Sequence, residues 1–435
     1  MSALNMWNLL AAARRRRTEQ WKSPGQLAQL RERRLRQLCR AAHQTPHYRE
    51  AFRRAGLSPD KITELTLERL PLLEKGTLHT TAAVQMLTEP AGTLFPVMTS
   101  GSTGTPLRVL RSHRDQAEVS ALWARIFRAY GHDILQTQLN INTGATVASR
   151  GPVATLRRLR ILPPLYQVSS FLPVDQHIEI LRRTQPHMFS AYAVSLELVA
   201  ERILERGITD IRPRVVYSCA MPISDRGREL AERAFGTKPL DVYVTAELGP
   251  VAWECQDTHG ALHLNDDIQI VEILDDHDRR VPDGEVGQVV ITQLSCTAQP
   301  LIRYRLGDLA ARLPSRCSCG RGLGLLSRVQ GRTRHVVRLP DGRVLYGIGL
   351  GAILKTFPEV ARWQAQQMAP TRLRVLVVPT SEWTQGSAAA IVRRLAERLG
   401  NSMHYEVDAV DNIPLAPSGK FQTIIPLEPA VAVPT

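Results

Sequence analysis

Aromatic side chains are scarce, with Phe, Trp and Tyr together making up 5% of the 435 residues. Proteins that hold single-stranded nucleic acid stack bases on aromatics interleaved with basic residues, so this composition argues against that class in spite of a formal net charge of +14. The arginines are also scattered over most of the chain instead of forming one stripe, and no nucleic-acid partner is expected. Long apolar runs are missing too, none approaching the roughly 18 residues that a membrane span needs. Leu9 to Ala13 is brief and is followed by the basic Arg14 to Arg17, the reverse of a secretory leader's charge order, which points to a cytoplasmic protein. Cysteine is too sparse for a disulfide scaffold: of six, Cys39, Cys219, Cys255 and Cys296 stand singly and Cys317 and Cys319 form a close pair.

What is present is a hydrophobic content of 43% against 22% charged, the balance of a soluble globular protein. The length predicts two or three domains, one of them large. Residues 1 to about 90 read as helices, among them Gln26 to Ala42 and a second one through Ala55, and the Arg14 to Arg17 run reads as a solvated helix face. From Asp115 onward helical and strand-like segments alternate, with helices at Asp115 to Tyr130, Asp175 to Arg183, Ser195 to Arg206 and Asp225 to Phe235. The strands between them include Gln138 to Asn142 and Arg214 to Ser218. That alternation predicts an α/β fold with parallel strands, whose ligands lie at the strand C-terminal ends. Asp241 to Asp308 turns to strands and turns, a β-rich subdomain, and about one hundred residues after Gly331-Arg332 restart as a small α+β domain. The expected division is therefore 1–331 and 332–435.

Four stretches ask for one ligand. Thr99-Ser100-Gly101-Ser102-Thr103-Gly104-Thr105-Pro106 lies between a short apolar run and a strand-like segment. It lacks Walker A spacing but offers backbone N–H groups and hydroxyls to a phosphate chain. Tyr243-Val244-Thr245-Ala246-Glu247 puts an aromatic ring and a carboxylate on one loop, the ring suited to flank a purine and the carboxylate to hold magnesium. In Arg303-Tyr304-Arg305-Leu306-Gly307-Asp308, the glycine permits a tight turn exposing an aspartate that can accept both hydroxyls of a ribose. Pro417-Ser418-Gly419-Lys420 carries a lysine at a loop tip, where a mobile domain could bring it to a phosphate.

Taken together, these stretches resemble the adenylate-forming superfamily of acyl-CoA synthetases, and within it the phenylacetate-coenzyme A ligase branch with its CapK-like members. The resemblance extends over TPHYREAFRRAGL, LPLLEKG, YSCAMPIS, AWECQDTHGALHLNDD and LIRYRLGDLAARLPSRCSCGR. It implies ATP-dependent activation of a carboxylic acid to an acyl-adenylate with release of pyrophosphate, then transfer to coenzyme A. An alternative is an amide or carrier-protein ligase that delivers the acyl group to an amine or a carrier thiol. The implied architecture is a large N-terminal domain and a small mobile C-terminal lid.

Residue by residue, the resemblance implies that Thr99 to Thr105 hold the β- and γ-phosphates of ATP and that Ala220-Met221-Pro222 pass along the adenine edge. Tyr243 would lie by the adenine, Glu247 would bind Mg2+, and Asp308 would hold the ribose of ATP and AMP. Arg332 would sit at the hinge and Lys420 would bridge carboxylate and α-phosphate, where cations stabilise developing charge. The acid, aromatic or otherwise compact, would lie among segments that include Tyr130, Tyr192 and Ser218; a homodimer is compatible with this reading. Ala246 stands where the family has Ser or Thr, which shifts the α-phosphate hydroxyl to Thr245, while Leu306, Arg334 and His335 also depart from the pattern. Cys255, His263, Cys317 and Cys319 make a Cys3His set of the structural zinc type, with His259 as an alternative ligand.

Overall fold

The computed structural model describes residues 3–98, 107–133, 135–142, 157, 159, 161–258, 260–333, 335–416 and 420–427. Two compact units divide them: residues 1–306 with 310–328, and residues 307–309 with 329–435.

The first unit opens with three helices, α1 (Ala3–Glu19), α2 (Pro24–His43) and α3 (Pro46–Ala55). Their starts are written in the sequence. Ser23 and Gln26 form a reciprocal capping box with Pro24 in the first turn, and Thr45 caps the next helix with Pro46 behind it. Gly56, at φ 60°, ends α3 in the left-handed conformation. The strands β1 (Phe95–Met98) and β2 (Arg108–Arg111) pair antiparallel, with Met98 opposite Arg108. Next comes α4 (His113–Ala129), started by a second capping box of Ser112 and Asp115.

The body of this unit is one large mixed sheet. Its parallel part contains β3 (Gln138–Asn142), β4 (Leu165–Ser169), β5 (Met188–Ala191), β6 (Val215–Cys219) and β7 (Leu240–Thr245). Helices α5 (Val174–Thr184), α6 (Ala193–Glu205) and α7 (Asp225–Phe235) connect them, as parallel pairing requires. Its other part continues through β8 (Gly249–Glu254), β9 (Ala261–Leu264), β10 (Gln269–Leu274), β11 (Val286–Gln293), β12 (Tyr304–Leu313) and β13 (Leu325–Ser327). The spatial order is β10-β11-β12-β13-β9-β8-β7-β6-β5-β3-β4, so the chain switches from parallel to antiparallel pairing at β7 and β8. The sheet buries its apolar faces in three clusters, one centred on Phe189, Leu196 and Phe235 beneath α5, α6 and α7.

Two expectations need correction. The Arg14 to Arg17 run is not a wholly solvated face: Arg16 is 1% exposed. It points inward because Asp267 and Glu19 wait there, Arg16 Nη1 lying 2.5 Å from Asp267 Oδ2 and Nη2 2.9 Å from Glu19 Oε2. Arg125 meets the same Asp267 carboxylate with Nη1 3.0 Å from both oxygens, and its other amino group donates to Asn265. Burial raises the Asp267 pKa, but the two guanidiniums outweigh it and hold the carboxyl below its usual range. The second correction concerns Asp308, expected on an exposed turn. It sits within the strand β12 and is 3% exposed. Gly307, at φ 75°, bends that strand where a side chain would be strained.

The second unit has its own core. After β14 (Gly331–Arg332), the hairpin β15 (Val336–Arg338) and β16 (Val344–Tyr346) leads into α8 (Gly347–Leu354). A four-stranded sheet follows, ordered β19-β18-β17-β20, from β17 (Val360–Ala369), β18 (Arg372–Pro379), β19 (His404–Ala409) and β20 (Ile424–Ile425). The helix α9 (Ser387–Leu399) lays Ile391, Leu395 and Leu399 against Leu373, Val375 and Val377. The small α+β organisation expected from the sequence is what this unit shows.

Candidate active site and metal-ligand cluster

The expected phosphate loop, Thr99 to Thr105, lies outside the described residues, as do Pro417 to Gly419, Arg334 and His259. The site is therefore built from the described strand ends.

Tyr243 and Thr245 are on the last half of β7 rather than on a loop, and the chain turns only at Ala246 and Glu247 before β8 begins. The turn is held from two sides. The buried Arg111, at the end of β2, donates through Nη2 to the carbonyl oxygens of Ala246 at 2.7 Å and Glu247 at 3.0 Å. Thr245 Oγ1 accepts the backbone N–H of Leu248 at 3.2 Å. Glu247 then receives a hydrogen bond from the buried Tyr304, whose Oη lies 3.3 Å from Oε1. A carboxylate is thus presented at a strand end with its backbone and one oxygen positioned, the arrangement a hard cation requires. Nothing in the sequence alone separates Arg111 from the other arginines, because its role depends on carbonyls more than a hundred residues away.

Beside it, β6 ends in Ser218 and Cys219, and Ala220 follows at φ 68°, a left-handed conformation that alanine seldom adopts. Ser218 is fully buried and donates Oγ to the Met221 carbonyl at 3.3 Å, so its hydroxyl braces the Ala220-Met221-Pro222 turn. Asp241, on β7, accepts the N–H of Ile223 at 3.4 Å and closes the turn from the other side. Burial raises the Asp241 pKa to about 7, with Arg228 opposing the shift.

The residues expected around the acid are deeper. Tyr130 is 2% exposed and packs by ring contacts against Tyr217 at 6.3 Å and Trp253 at 6.2 Å. Its hydroxyl has no hydrogen-bond partner among the described residues, and burial pushes its pKa up. Tyr192 occupies the position between the end of β5 and the start of α6, with no side-chain capping bond. Because β3, β5 and β6 are adjacent in the sheet, Asn140, Ser190 and Tyr217 stand side by side, with Ser190 Oγ 2.6 Å from Asn140 Oδ1.

In the second unit, Asp308 pairs with Arg332 across β12 and β14, and Arg332 Nε donates to Asp308 Oδ1 at 2.9 Å. Thr333 N–H donates to the Gly307 carbonyl at 2.8 Å, which fixes the strand bend. His335, half-buried here, has its pKa lowered by burial and then by Arg332. On the other side of the undescribed residues 417–419, the Lys420 carbonyl accepts the Ala416 N–H at 2.9 Å.

The Cys3His set is gathered as expected. One ligand atom from each of Cys255, His263, Cys317 and Cys319 lies within 4.8 Å of the others, and Cys319 Sγ is 3.3 Å from His263 Nε2. Tetrahedral coordination by three sulfurs and one nitrogen separates ligand atoms by about 3.5–3.8 Å, given bonds of roughly 2.3 and 2.0 Å, so the donor set suits such an ion after small side-chain shifts. Burial, then Arg321, lowers the His263 pKa to about 4, leaving a neutral imidazole at neutral pH. Burial alone raises Cys319, but the Arg321 N–H, Cys317 and the Arg321 guanidinium reverse it and bring the thiol below its usual value. Arg321 lies 4.8 Å from the Trp21 ring and 5.2 Å from the Trp253 ring. Its neighbour Gly322 cannot carry a side chain, because a Cβ there would come 1.8 Å from the Lys22 carbonyl oxygen.

Comparison with known proteins gives four consistent likenesses. Residues 338–426 match the family model of the CapK C-terminal domain. Phenylacetate-coenzyme A ligase of Thermus thermophilus is 26% identical over 77% of this chain and 76% of that protein, and Protein CapK of Staphylococcus aureus is 21% identical over 86% and 83%. Among solved structures, a 2-hydroxyisobutyryl-CoA ligase in complex with R3-HIB-AMP superposes with a TM-score of 0.78 at 21% identity, covering 95% of this chain and 92% of that one. At that identity the structural likeness speaks for the fold.

Proposed function

Because the chain belongs to the phenylacetate-CoA ligase and CapK-like branch of the adenylate-forming superfamily, we propose that it is an AMP-forming acid–CoA ligase acting on a compact, aromatic carboxylic acid. A carboxylate oxygen of the acid attacks the α-phosphorus of ATP, the bond to the β-phosphate oxygen breaks, and pyrophosphate leaves. The sulfur of coenzyme A then attacks the acyl carbon, its proton goes to solvent, and AMP departs.

The observation that carries this reading is the Tyr304–Glu247 hydrogen bond at the strand end, on a turn clamped by Arg111. Glu247 would hold Mg2+, which supplies charge neutralisation to the phosphates. Thr245 sits one residue before Ala246 and is the hydroxyl this reading gives to the α-phosphate. Ala220, Met221 and Pro222 form a braced edge for the adenine, Tyr243 its flank, Asp308 the ribose acceptor, and Lys420 the cation for carboxylate and α-phosphate. The adjacency of β3, β5 and β6 supports an acid pocket that includes Ser218, Tyr192 and the segment from Tyr130. Cys255, His263, Cys317 and Cys319 would hold a structural zinc ion, since four protein donors leave no open position.

The test is acid-dependent pyrophosphate exchange over a panel of aromatic and short aliphatic acids, followed by thioester formation with coenzyme A. Wild type is expected to exchange with at least one aromatic acid, and Lys420→Ala to lose about 100-fold or more while folding normally. Background exchange in both proteins over the whole panel would end the reading, and product formed only with amines would reassign the acceptor.

A further inference from the structure

A cleft of about 590 Å³ opens between α1, α2, the first turns of α4 and residues 294–297, lined by Arg15, Arg16, Arg33, Arg34, Arg114 and Glu118. No residue assigned above to nucleotide, acid or metal lines it. We propose that this cleft binds a small polyanion bearing phosphate groups and a hydroxyl, a nucleotide or sugar phosphate, through residues that the ligase reaction does not use.

Charge is the first argument. Counting Arg125 behind the wall, six guanidiniums stand against the four carboxylates of Glu19, Asp115, Glu118 and Asp267, so two positive charges are left over. The imbalance is local to the mouth: Arg33 and Arg114 are exposed and have no ion-pair partner among the described residues. Arg16 and Arg34, by contrast, are fixed from behind, Arg34 by Glu19 at 2.7 Å and by the Asp267 carbonyl at 2.6 Å. The cleft therefore pairs a preorganised floor, which lowers the ordering cost of gripping an anion, with two exposed guanidiniums at its mouth.

The second argument is a buried ion pair too long for a hydrogen bond. Arg16 Nε, on a side chain 1% exposed, and Glu118 Oε2 lie 3.9 Å apart, neither making a hydrogen bond, on two residues that line the cleft. A donor and an acceptor at that spacing suit one hydroxyl that accepts from Arg16 and donates to Glu118. A bare phosphate would meet repulsion from Glu118, whereas a sugar hydroxyl would not. Ser295 and Thr297 add hydroxyls on the facing segment.

Size is the third. The volume falls within the roughly 300–1,000 Å³ of small-molecule sites, and a concave arginine-lined wall suits a compact ligand better than the flat face of a protein.

The test is calorimetric titration of the full chain, its reaction site saturated with a phosphate-free acyl-sulfamoyl adenosine, with ADP and with fructose 1,6-bisphosphate. At least one is expected to bind once per chain, and the tighter of the two identifies the ligand class. Arg33→Gln with Arg114→Gln is expected to weaken that binding by about tenfold or more, with affinity for the acyl-sulfamoyl adenosine and melting temperature unchanged. Equal affinity in wild type and variant, or no binding of either compound, would overturn the proposal. Neither arginine has a role in the ligase reaction, so the comparison stands even if that reaction is not observed.

Discussion

Arg332 holds Asp308 from the neighbouring strand, guanidinium Nε to carboxylate Oδ1 at 2.9 Å, while Gly307 bends the backbone beneath them at φ 75°. The two residues differ in exposure, the Arg332 side chain at 42% and that of Asp308 at 5%, so the pair reaches solvent from one side only. A carboxylate held this way can exchange a guanidinium contact for sugar hydroxyls without leaving its strand.

Asp308→Asn is accordingly expected to raise the KM for ATP by about tenfold to a hundredfold, the loss of one or two hydrogen bonds to a charged acceptor. The melting temperature should move by only a few degrees, since the strand pairing remains. Steady-state kinetics at varied ATP checks this; an unchanged KM with a lower kcat would take Asp308 away from the nucleotide.

How far the sequence carries can be read from particular residues. The caps Ser23, Thr45 and Ser112 act within four residues of themselves, so α2, α3 and α4 are legible from the chain alone. The strand β17 is not, because VARWQAQQMA alternates poorly and its glutamines are held by partners elsewhere, Gln364 by the Gln422 carbonyl and Gln367 by the Arg338 carbonyl. Of the site, the Cys/His cluster was legible because its residue types are rare. The clamp of Arg111 and the inward turn of Arg16 were not, because their partners are fixed only by tertiary structure.

Metal analysis of purified protein is expected to find about one zinc per chain. Cys317→Ser should lower that content and the melting temperature together, because a closed centre contributes folding free energy directly. His263→Gln keeps the volume while removing the imidazole and should do the same. Full stability in a protein stripped of metal would show that the four side chains pack without an ion.

Asp267 bears on the N-terminal helices. Asp267→Asn leaves Arg16 and Arg125 buried without their shared anion, a change expected to cost about 3–5 kcal/mol. Because the folded-state pKa of Asp267 lies below its ordinary 3.8, the stability it contributes is present above that value and lost as pH falls through the lower folded value. Urea denaturation of wild type should therefore show an acid-side decline that the variant lacks. Equal slopes in the two proteins would contradict the ion-pair account.

Asp241 has the opposite sign. Burial raises its pKa from 3.8 to about 7, so between those values the folded protein keeps a proton that the unfolded chain has released. Folding then becomes less favourable as pH rises across that window, and above it the native state holds a buried carboxylate. Arg228 only partly compensates, at 3.7 Å from Asp241 while 2.8 Å from Glu254. Asp241→Asn keeps an oxygen for the Ile223 N–H and gains an amide that can donate to a neighbouring carboxylate. The variant is expected to match wild type near pH 4 and to exceed it in stability above pH 7, with a flatter profile between. Urea midpoints across the window measure both proteins; a variant that falls with the same slope would mean that another group takes up the proton.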